Sequence, residues 1–343
     1  MTRPRPLIIG HRGAPGYLPE HTRSSYELAF AQGVDAVEPD VVFTRDGVAV
    51  VRHENEIGST TDVAERPRFA GRRRSAVVDG ALLEGWFTED FTWEELATLR
   101  CRERLPQLRP ASAAHDDTEA PLRLRDLLAL VDAASQRDGR RISVVLEVKH
   151  AAHFAALGFD VPGLLAAELD AAGWAGPEAP LIVESFEPTV LSQLRGRGVA
   201  APRVYLFEAE GRPADLVAAE NGGGAVAPTY RSLTTPQGLD SLVGEVEGIS
   251  VDKLLLLEGE AEADAEADAD GHPLVIAAHA RGLDVFTWTF RPENLFLAPR
   301  FRRGDDPAAH GDAAGEWAAL VATGIDGVFV DHPDLAAGFL RRP

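Results

Sequence analysis

The fold is decided by the stretch Ala36-Val37-Glu38-Pro39-Asp40-Val41-Val42. Its apolar residues predict a buried β-strand, and its two carboxylates stand two positions apart. Side chains at that spacing point to the same face of a strand, so both carboxylates are expected to lie together. Uncompensated charges inside a protein cost several kcal/mol each, so the stretch indicates a functional site as well as a strand.

Strand-like runs of this kind alternate with amphipathic helical stretches along the chain. The strand candidates are residues 7–10, 36–43, 142–148, 181–186, 203–207, 248–251, 284–290 and 327–331. The helical candidates are residues 22–32, 124–134, 163–172, 189–197, 272–281 and 316–323. This alternation implies parallel strands joined by right-handed crossovers, because a tight turn cannot join a parallel pair. Eight units predict an α/β fold of the closed (β/α)8 TIM barrel type; six or seven would equally suit an open doubly wound sheet.

Two segments interrupt this rhythm. Residues 54–121 are too long for a connecting loop and carry apolar side chains of their own, namely Trp86, Phe87, Phe91, Trp93 and Leu96. We interpret them as a small inserted subdomain after the second strand, lying over the carboxyl ends of the barrel strands, within a single barrel domain of residues 1–343. Residues 258–270 alternate alanine with acidic residues, which predicts a solvated surface loop.

Composition limits the partners. The 343 residues carry a formal charge of −20, and the isoelectric point is about 4.9. Binding to nucleic acid depends on neutralising phosphates, so no nucleic-acid partner is expected. A phosphate-bearing small molecule would have to be attracted by local cations. The chain has one cysteine, Cys101, which excludes an intramolecular disulfide.

The sequence also suggests where the protein resides. It has no apolar stretch of the roughly 18 residues that a transmembrane helix requires, so no transmembrane segment is expected. The run at residues 7–10 is too short for a secretory signal. We expect a cytoplasmic protein, with a secreted chain whose signal has been removed as the alternative. The oligomeric state is not predicted.

A second strand adds charges to the same site. In Val144-Val145-Leu146-Glu147-Val148-Lys149 the spacing of two places a carboxylate beside an ammonium group. Glu38, Asp40 and Glu147 against one lysine leave an excess of negative charge that a divalent cation would neutralise. Ligation by oxygen alone favours Ca2+ or Mg2+.

Two histidines occupy similar places. His11 directly follows the first strand, and His53 ends a second extended run, residues 48–53. Because the active sites of barrel enzymes lie at the carboxyl ends of the strands, both are candidates for acid and base catalysis near neutral pH. Arg12 and Lys149 can bind the non-bridging oxygens of a phosphoryl group.

These residues resemble the signature of the glycerophosphodiester phosphodiesterase family. The matching motifs are His11-Arg12-Gly13, Pro19-Glu20-His21-Thr22, Glu38-Pro39-Asp40, Asp46-Gly47, His53, Leu146-Glu147-Val148-Lys149, Ser185-Phe186, Trp288-Thr289-Phe290 and the segment 326–334. The motifs cover nearly the whole chain, and their combination is highly specific. Within residues 54–121, Gly85-Trp86-Phe87-Thr88-Glu89-Asp90-Phe91 resembles the long subdomain of bacterial periplasmic relatives.

The resemblance implies roles for individual residues. It implies that His11 and His53 are the catalytic acid and base, and that Arg12 and Lys149 contact the phosphate. It implies the metal ligands Glu38, Asp40 and Glu147, and the hydrolysis of glycerophosphodiesters to glycerol 3-phosphate and an alcohol.

Two residues of the pattern carry less definite implications. Trp288 either faces the substrate or packs in the core. The family usually has aspartate after the second histidine, where this chain has Glu54, which puts in doubt an orienting contact from that carboxylate.

Three alternatives remain at this point. A related barrel phospholipase would act on choline or ethanolamine lipids. A glycoside hydrolase would use two strand-end carboxylates such as Glu147 and Glu184, although its substrate offers no charge for Arg12 and Lys149. A catalytically silent barrel would only bind phosphate esters.

Overall fold

The computed structural model describes residues 5–257 and 271–341. The loop predicted at residues 258–270 lies outside this part of the chain. The strands are β1 (Leu7–His11), β2 (Ala36–Glu38), β3 (Asp40–Phe43), β4 (Ala49–Val51), β5 (Arg74–Val78), β6 (Ala81–Gly85), β7 (Ser143–Val148), β8 (Leu181–Ser185), β9 (Arg203–Phe207), β10 (Gly248–Asp252), β11 (Asp284–Phe290) and β12 (Gly327–Val330).

The helices surround these strands. They are α1 (Arg23–Ala31), α2 (Trp93–Leu96), α3 (Pro110–Ala113), α4 (Leu124–Asp138), α5 (Ala151–Ala156), α6 (Val161–Ala171), α7 (Pro188–Gly196), α8 (Ala214–Asn221), α9 (Tyr230–Leu233), α10 (Pro236–Asp240), α11 (Leu254–Leu257), α12 (Pro273–His279), α13 (Ala313–Ala322) and α14 (Pro333–Leu340). Short 3-10 helices span Asp62–Glu65, Pro67–Arg72, Thr88–Asp90 and Pro299–Phe301. No described helix combines the length and the apolar character needed to cross a bilayer.

The predicted (β/α)8 barrel is confirmed. Strand β1 pairs in parallel with both β12 and β2, and β2 pairs with β7, so the sheet closes on itself. The predicted strand 36–43 is interrupted at Pro39, which has no N–H to donate to the ladder. Its two halves, β2 and β3, both pair with β7 and together form one of the eight barrel strands.

Several elements were not predicted. The extended run at residues 48–53 was predicted and contains β4, but its antiparallel pairing with β3 was not, and neither was the hairpin of β5 and β6. Helices α9, α10 and α11 have four, five and four residues. An amphipathic period cannot be recognised over so short a stretch, so these three helices could not be predicted from the sequence pattern.

Apolar side chains fill the barrel interior and the space between strands and helices. The interior cluster contains Ile9, Ala36, Val145, Val204, Phe286 and Phe329, with Ile182 and Trp288 packed against it. Because side chains alternate between the two faces of a strand, the residue two positions further along each strand also points inward. That step leads from Ile9 to His11, from Val145 to Glu147 and from Ile182 to Glu184. These three polar side chains thus form a layer at the carboxyl end of the barrel, directly above the apolar side chains of its interior.

Residues 54–121 hold an apolar cluster of their own. Phe69, Phe91, Leu96 and Leu99 are buried there, and Trp86 and Trp93 pack against them. The segment contacts residues that follow barrel strands at their carboxyl ends: Asp79 pairs with His150, which follows β7, at 2.5 Å.

Candidate active site

A cavity of about 540 Å³ opens at the carboxyl ends of the barrel strands. Most of the residues predicted to form the site line it, namely His11, Arg12, Glu38, His53, Glu147, Lys149 and Trp288. Asp40 is buried beside them and is absent from the lining. The position of this cavity is the one expected for a barrel enzyme.

Strand register brings the polar side chains to one level. His11 of β1 is paired with Glu38 of β2. Asp40 of β3 is paired with Glu147 of β7, and Glu147 is paired with Glu184 of β8. Neighbouring parallel strands thus place five functional groups in a row around the barrel, although they lie far apart in the sequence.

Three of these residues form a carboxylate cluster, which we define as Glu38, Glu147 and Glu184. One oxygen from each lies within 4.8 Å of the others. Glu38 Oε1 and Glu184 Oε2 have no hydrogen-bond partner among the described residues. Burial, and then nearby Asp40, raises the pKa of Glu38 well above its usual range. Burial also raises the pKa of Glu147 to about 8, against the opposing charge of Lys149.

The cluster differs from the predicted ligand set. It contains two of the three predicted ligands, Glu38 and Glu147, and adds Glu184. Asp40 lies outside it because its Oδ2 is held by His21 Nε2 at 2.9 Å and faces Arg12 Nε at 3.3 Å. Its other oxygen, Oδ1, has no hydrogen-bond partner among the described residues. Burial alone would raise the pKa of Asp40, but the surrounding positive groups, Arg12 and Lys149 among them, hold it well below its usual range.

His11 is oriented by the last barrel strand. Its Nδ1 lies 2.7 Å from Asp331 Oδ1, directly after β12. Asp331 also accepts hydrogen bonds from Arg109 Nη2 at 2.6 Å and Arg291 Nε at 2.7 Å. With Nδ1 donating to the carboxylate, Nε2 of His11 is free to act in the cavity. Burial, and then the charge of Arg12, lowers the pKa of His11 to about 4.

His53 lies in the cavity and follows an extended run, as predicted, but that run is an antiparallel strand. It follows β4, which is antiparallel, so it does not end a parallel barrel strand. The β3–β4 hairpin extends past the barrel and turns back, and Arg52 N donates to Asp40 O at 3.0 Å. His53 Nδ1 contacts Glu54 Oε1, and its Nε2 lies 3.2 Å from Lys149 Nζ. Burial, and then Arg12 and Lys149, lowers the pKa of His53 to about 3.

Glu54 makes the orienting contact that the change from aspartate had put in doubt. Its position is fixed by Arg104, which donates to Glu54 Oε1 at 2.8 Å and to Glu54 Oε2 at 2.6 Å. The same guanidinium donates to both carboxylate oxygens of Glu20, at 2.8 and 2.6 Å. Residues 54–121 therefore supply two arginines that bind the carboxylate partners of the histidines. Arg109 binds the carboxylate that contacts His11, and Arg104 binds the one that contacts His53.

The two cations predicted to bind phosphate are buried at the edge of the carboxylate cluster. Lys149 Nζ lies 2.8 Å from Glu147 Oε1, and Arg12 Nη1 donates to Glu20 Oε2 at 3.0 Å. The backbone of Arg12 adopts a left-handed conformation, with φ of 55°, and its N–H donates to Glu38 Oε2 at 3.0 Å. The left-handed turn and this hydrogen bond fix Arg12 next to the carboxylate cluster.

Trp288 lies in the cavity wall and is half-buried. Its ring packs against Phe186 with the centroids 5.8 Å apart, and its Nε1 has no hydrogen-bond partner among the described residues. Trp288 therefore lines the cavity and also packs against its wall. The sequence did not assign the roles found here for Glu184 in the cluster and for Asp331, Arg104, Arg109 and Arg291 around the histidines.

Comparisons with known proteins give one consistent result. The family described as the glycerophosphoryl diester phosphodiesterase family matches residues 11–335. A glycerophosphodiester phosphodiesterase of Arabidopsis thaliana is 27% identical over 339 residues, covering 95% of this chain and 84% of the relative. One of Treponema pallidum is 26% identical over 363 residues, covering 98% of this chain and 92% of the relative.

Solved structures share the fold. An Oleispira antarctica phosphodiesterase, solved with the product sn-glycerol-3-phosphate, has a TM-score of 0.62 at 18% identity and covers 98% of each chain. A glycerophosphodiester phosphodiesterase of Agrobacterium tumefaciens has a TM-score of 0.57 at 17% identity, covering 97% of this chain and 99% of the other.

Proposed function

Because the chain belongs to the glycerophosphoryl diester phosphodiesterase family and is a phosphoric diester hydrolase, we propose that it cleaves glycerophosphodiesters with one divalent cation and two histidines. The products are glycerol 3-phosphate and an alcohol. The observation that carries this proposal is the cavity itself, where two carboxylate-oriented imidazoles, two cations and the carboxylate cluster meet. The glycoside hydrolase alternative falls with the family assignment, and Glu147 and Glu184 instead belong to one cluster.

The residues fit a divalent cation. The oxygens of the carboxylate cluster are buried, close together and incompletely partnered, and one lysine does not neutralise them. We propose that Glu38, Asp40 and Glu147 hold the ion, as the family resemblance implies, with Glu184 as a fourth carboxylate. Oxygen ligands suit Ca2+ or Mg2+. When bound, such an ion supplies positive charge at a phosphoryl oxygen and lowers the pKa of a nearby hydroxyl.

The protein's own cations hold the phosphoryl group. Lys149 and Arg12 stand beside the cluster and offer N–H donors to non-bridging oxygens. Their carboxylate partners, Glu147 and Glu20, fix both side chains before substrate arrives, so little reorganisation is needed during the reaction.

The two histidines move the protons. A glycerophosphodiester carries a hydroxyl beside its phosphate ester, and attack by that oxygen on phosphorus has a large proximity advantage. One imidazole Nε2 takes the hydroxyl proton, and the bond from phosphorus to the alcohol oxygen breaks. The other imidazole, which enters the step protonated because the negatively charged phosphate beside it raises its pKa, protonates the departing alcohol. Water then opens the resulting cyclic phosphate with the histidine roles exchanged.

A panel of substrates tests the function. Purified protein is assayed on glycerophosphodiesters, on lysolipids and on aryl glycosides, with and without added metal. We expect turnover of glycerophosphodiesters only. Turnover of lysolipids alone would instead favour the barrel phospholipase, which the cavity could serve with the same catalytic groups.

A further inference from the structure

Glu293 is a buried carboxylate that lies outside the cavity. It follows β11 by three residues and is 3% exposed. Arg109 Nε, 2.8 Å from Glu293 Oε1, is the only hydrogen-bond partner of this carboxylate in residues 5–257 and 271–341, and Glu293 Oε2 has none. A buried charge is costly unless it is paired, so the contact with Arg109 is what accommodates this carboxylate in the interior.

The backbone around Glu293 is held in place by its own loop. Glu293 and His310 form an antiparallel bridge. Asn294 Nδ2 donates to Arg303 O at 2.8 Å and to Asp306 O at 2.9 Å. These contacts close the loop after β11 on itself, so the side chain of Glu293 starts from a fixed backbone. A group held in this way can fix the position of another.

Arg109 contacts three parts of the chain with one guanidinium group. Its Nε donates to Glu293, its Nη1 to Pro15 O at 3.1 Å, and its Nη2 to Asp331 Oδ2 at 2.6 Å. Pro15 lies in the turn after β1, and Asp331 directly follows β12. Because the guanidinium is planar and its donors have fixed directions, the position of one partner constrains the other two. The carboxylate of Glu293 therefore determines how Arg109 meets Asp331.

This series of contacts ends at His11. Asp331 Oδ2 accepts from Arg109, and Asp331 Oδ1 lies 2.7 Å from His11 Nδ1. Because both oxygens are engaged, the carboxylate cannot turn without breaking a contact. Arg291 Nε donates to the same Oδ2 at 2.7 Å, but Arg291 lines the cavity and is more exposed than Arg109. Arg109 is thus the buried support of Asp331, and the fixed carboxylate favours the His11 tautomer with the proton on Nδ1.

We propose that Glu293 is a positioning residue for the reaction. Acting through Arg109 and Asp331, it holds His11 in the tautomer with the proton on Nδ1. This inference rests on the proposed function, in which Nε2 of His11 exchanges protons with the substrate. Neither Glu293 nor Arg109 lines the cavity, so both act through His11. Because Arg109 belongs to residues 54–121, the inserted segment takes part in this positioning.

Glu293→Ala tests this role in the whole protein. We expect kcat for a glycerophosphodiester to fall roughly tenfold, because a small displacement of a reacting group is enough for such a loss. KM should stay within about twofold of its value in the unchanged protein, since Arg12 and Lys149 still bind the phosphate. Glu293→Gln should lose less, because its amide oxygen still accepts from Arg109, although more weakly than a carboxylate does.

Nitrogen NMR of the His11 ring, recorded near neutral pH, gives a readout that a merely structural role would not change. Comparison with His11→Ala identifies the signals of this ring. In the unchanged protein we expect one tautomer, with the proton on Nδ1. In Glu293→Ala the tautomer with the proton on Nε2 should appear beside it. Loss of stability alone would leave the folded molecules with a single tautomer.

Glu247→Ala is the matched control. Glu247 Oε1 accepts from the buried guanidinium of Arg203 at 2.6 Å, next to the first residues of β9 and β10 and thus at the opposite end of the barrel. This variant also deprives a buried arginine of its carboxylate, but no contact leads from it to His11. It should alter neither kcat nor the NMR signals of His11.

The outcomes separate this inference from the proposed function. A single tautomer or an unchanged kcat in Glu293→Ala would overturn the positioning role, and so would an equal loss of kcat in Glu247→Ala. If the unchanged protein hydrolyses no glycerophosphodiester, the proposed function fails, and the tautomer of His11 alone decides the inference. If Glu293→Ala does not fold, the spectrum of Glu293→Gln decides: a second tautomer supports the role, and a single one overturns it.

Discussion

His11 Nδ1 lies 2.7 Å from Asp331 Oδ1, although 320 residues separate the two along the chain. The contact exists because β1 and β12 are neighbours in the closed barrel, with Ile9 paired to Phe329 and Gly10 to Val330. Closure of the barrel therefore orients a candidate catalytic imidazole, and a change of the carboxylate alone tests this orientation.

Asp331→Asn should reduce kcat roughly 10- to 1,000-fold, because the amide can accept from a protonated Nδ1 of His11 or donate to an unprotonated one, so it no longer fixes the tautomer or stabilises the imidazolium. Nitrogen NMR of the histidine should show a mixed tautomer, which a purely structural effect would not produce. Asp326→Asn is the matched control, since it breaks a 2.8 Å contact with His279 at the other end of β12. Full turnover with Asp331→Asn would remove this carboxylate from the account.

His11→Ala and His53→Ala should each lose roughly 100- to 10,000-fold in turnover while staying folded, because each removes a proton-transfer group. The double variant should lose little more than the worse single variant, since the two act as a unit. Steady-state kinetics and circular dichroism measure both properties. His115→Ala, an exposed histidine outside the cavity, should behave as the unchanged protein does. Near-normal turnover in either single variant would exclude that histidine.

Glu184→Gln should weaken binding of Ca2+ or Mg2+ by roughly tenfold or more, because it removes a charged oxygen from the cluster. Asp40→Asn should also weaken it if Asp40 Oδ1 reaches the ion. Calorimetric titration of metal-free protein measures affinity without any turnover, and Glu94→Gln, which changes an exposed carboxylate outside the cavity, is the control. Unchanged affinity with Glu184→Gln would show that the ion does not use this carboxylate.

Much of the site could be predicted from the period of two in the strands. The rule that placed Glu38 and Asp40 on one face also relates Ile182, Glu184 and Phe186, so the signal for Glu184 was present. What the sequence lacked was the register. Only the pairing of Glu147 with Glu184 on adjacent strands shows that these two carboxylates are neighbours in the site.

The remaining contacts depend on distant parts of the chain. Arg109 reaches Asp331 across 222 residues, from a segment whose path no local pattern predicts. His53 was expected at the end of an extended run, and that run is β4, whose antiparallel pairing with β3 the sequence did not indicate. Alternation of apolar residues predicts an extended run but does not distinguish parallel from antiparallel pairing.

A diester whose neighbouring hydroxyl is replaced by hydrogen should bind but not react, because the proposed nucleophile is missing. The natural diester should yield a cyclic phosphate that rapid quenching and phosphorus NMR detect. The deoxy compound reacting as fast as the natural diester would establish direct attack by water.

The most direct measurement of the central claim is the release of glycerol 3-phosphate from a glycerophosphodiester by metal-stripped and metal-reloaded protein. The cluster of Glu38, Glu147 and Glu184 needs a cation for neutralisation, so stripping by a chelator should abolish turnover and Ca2+ or Mg2+ should restore it. Full turnover by protein shown to be free of metal would contradict the account.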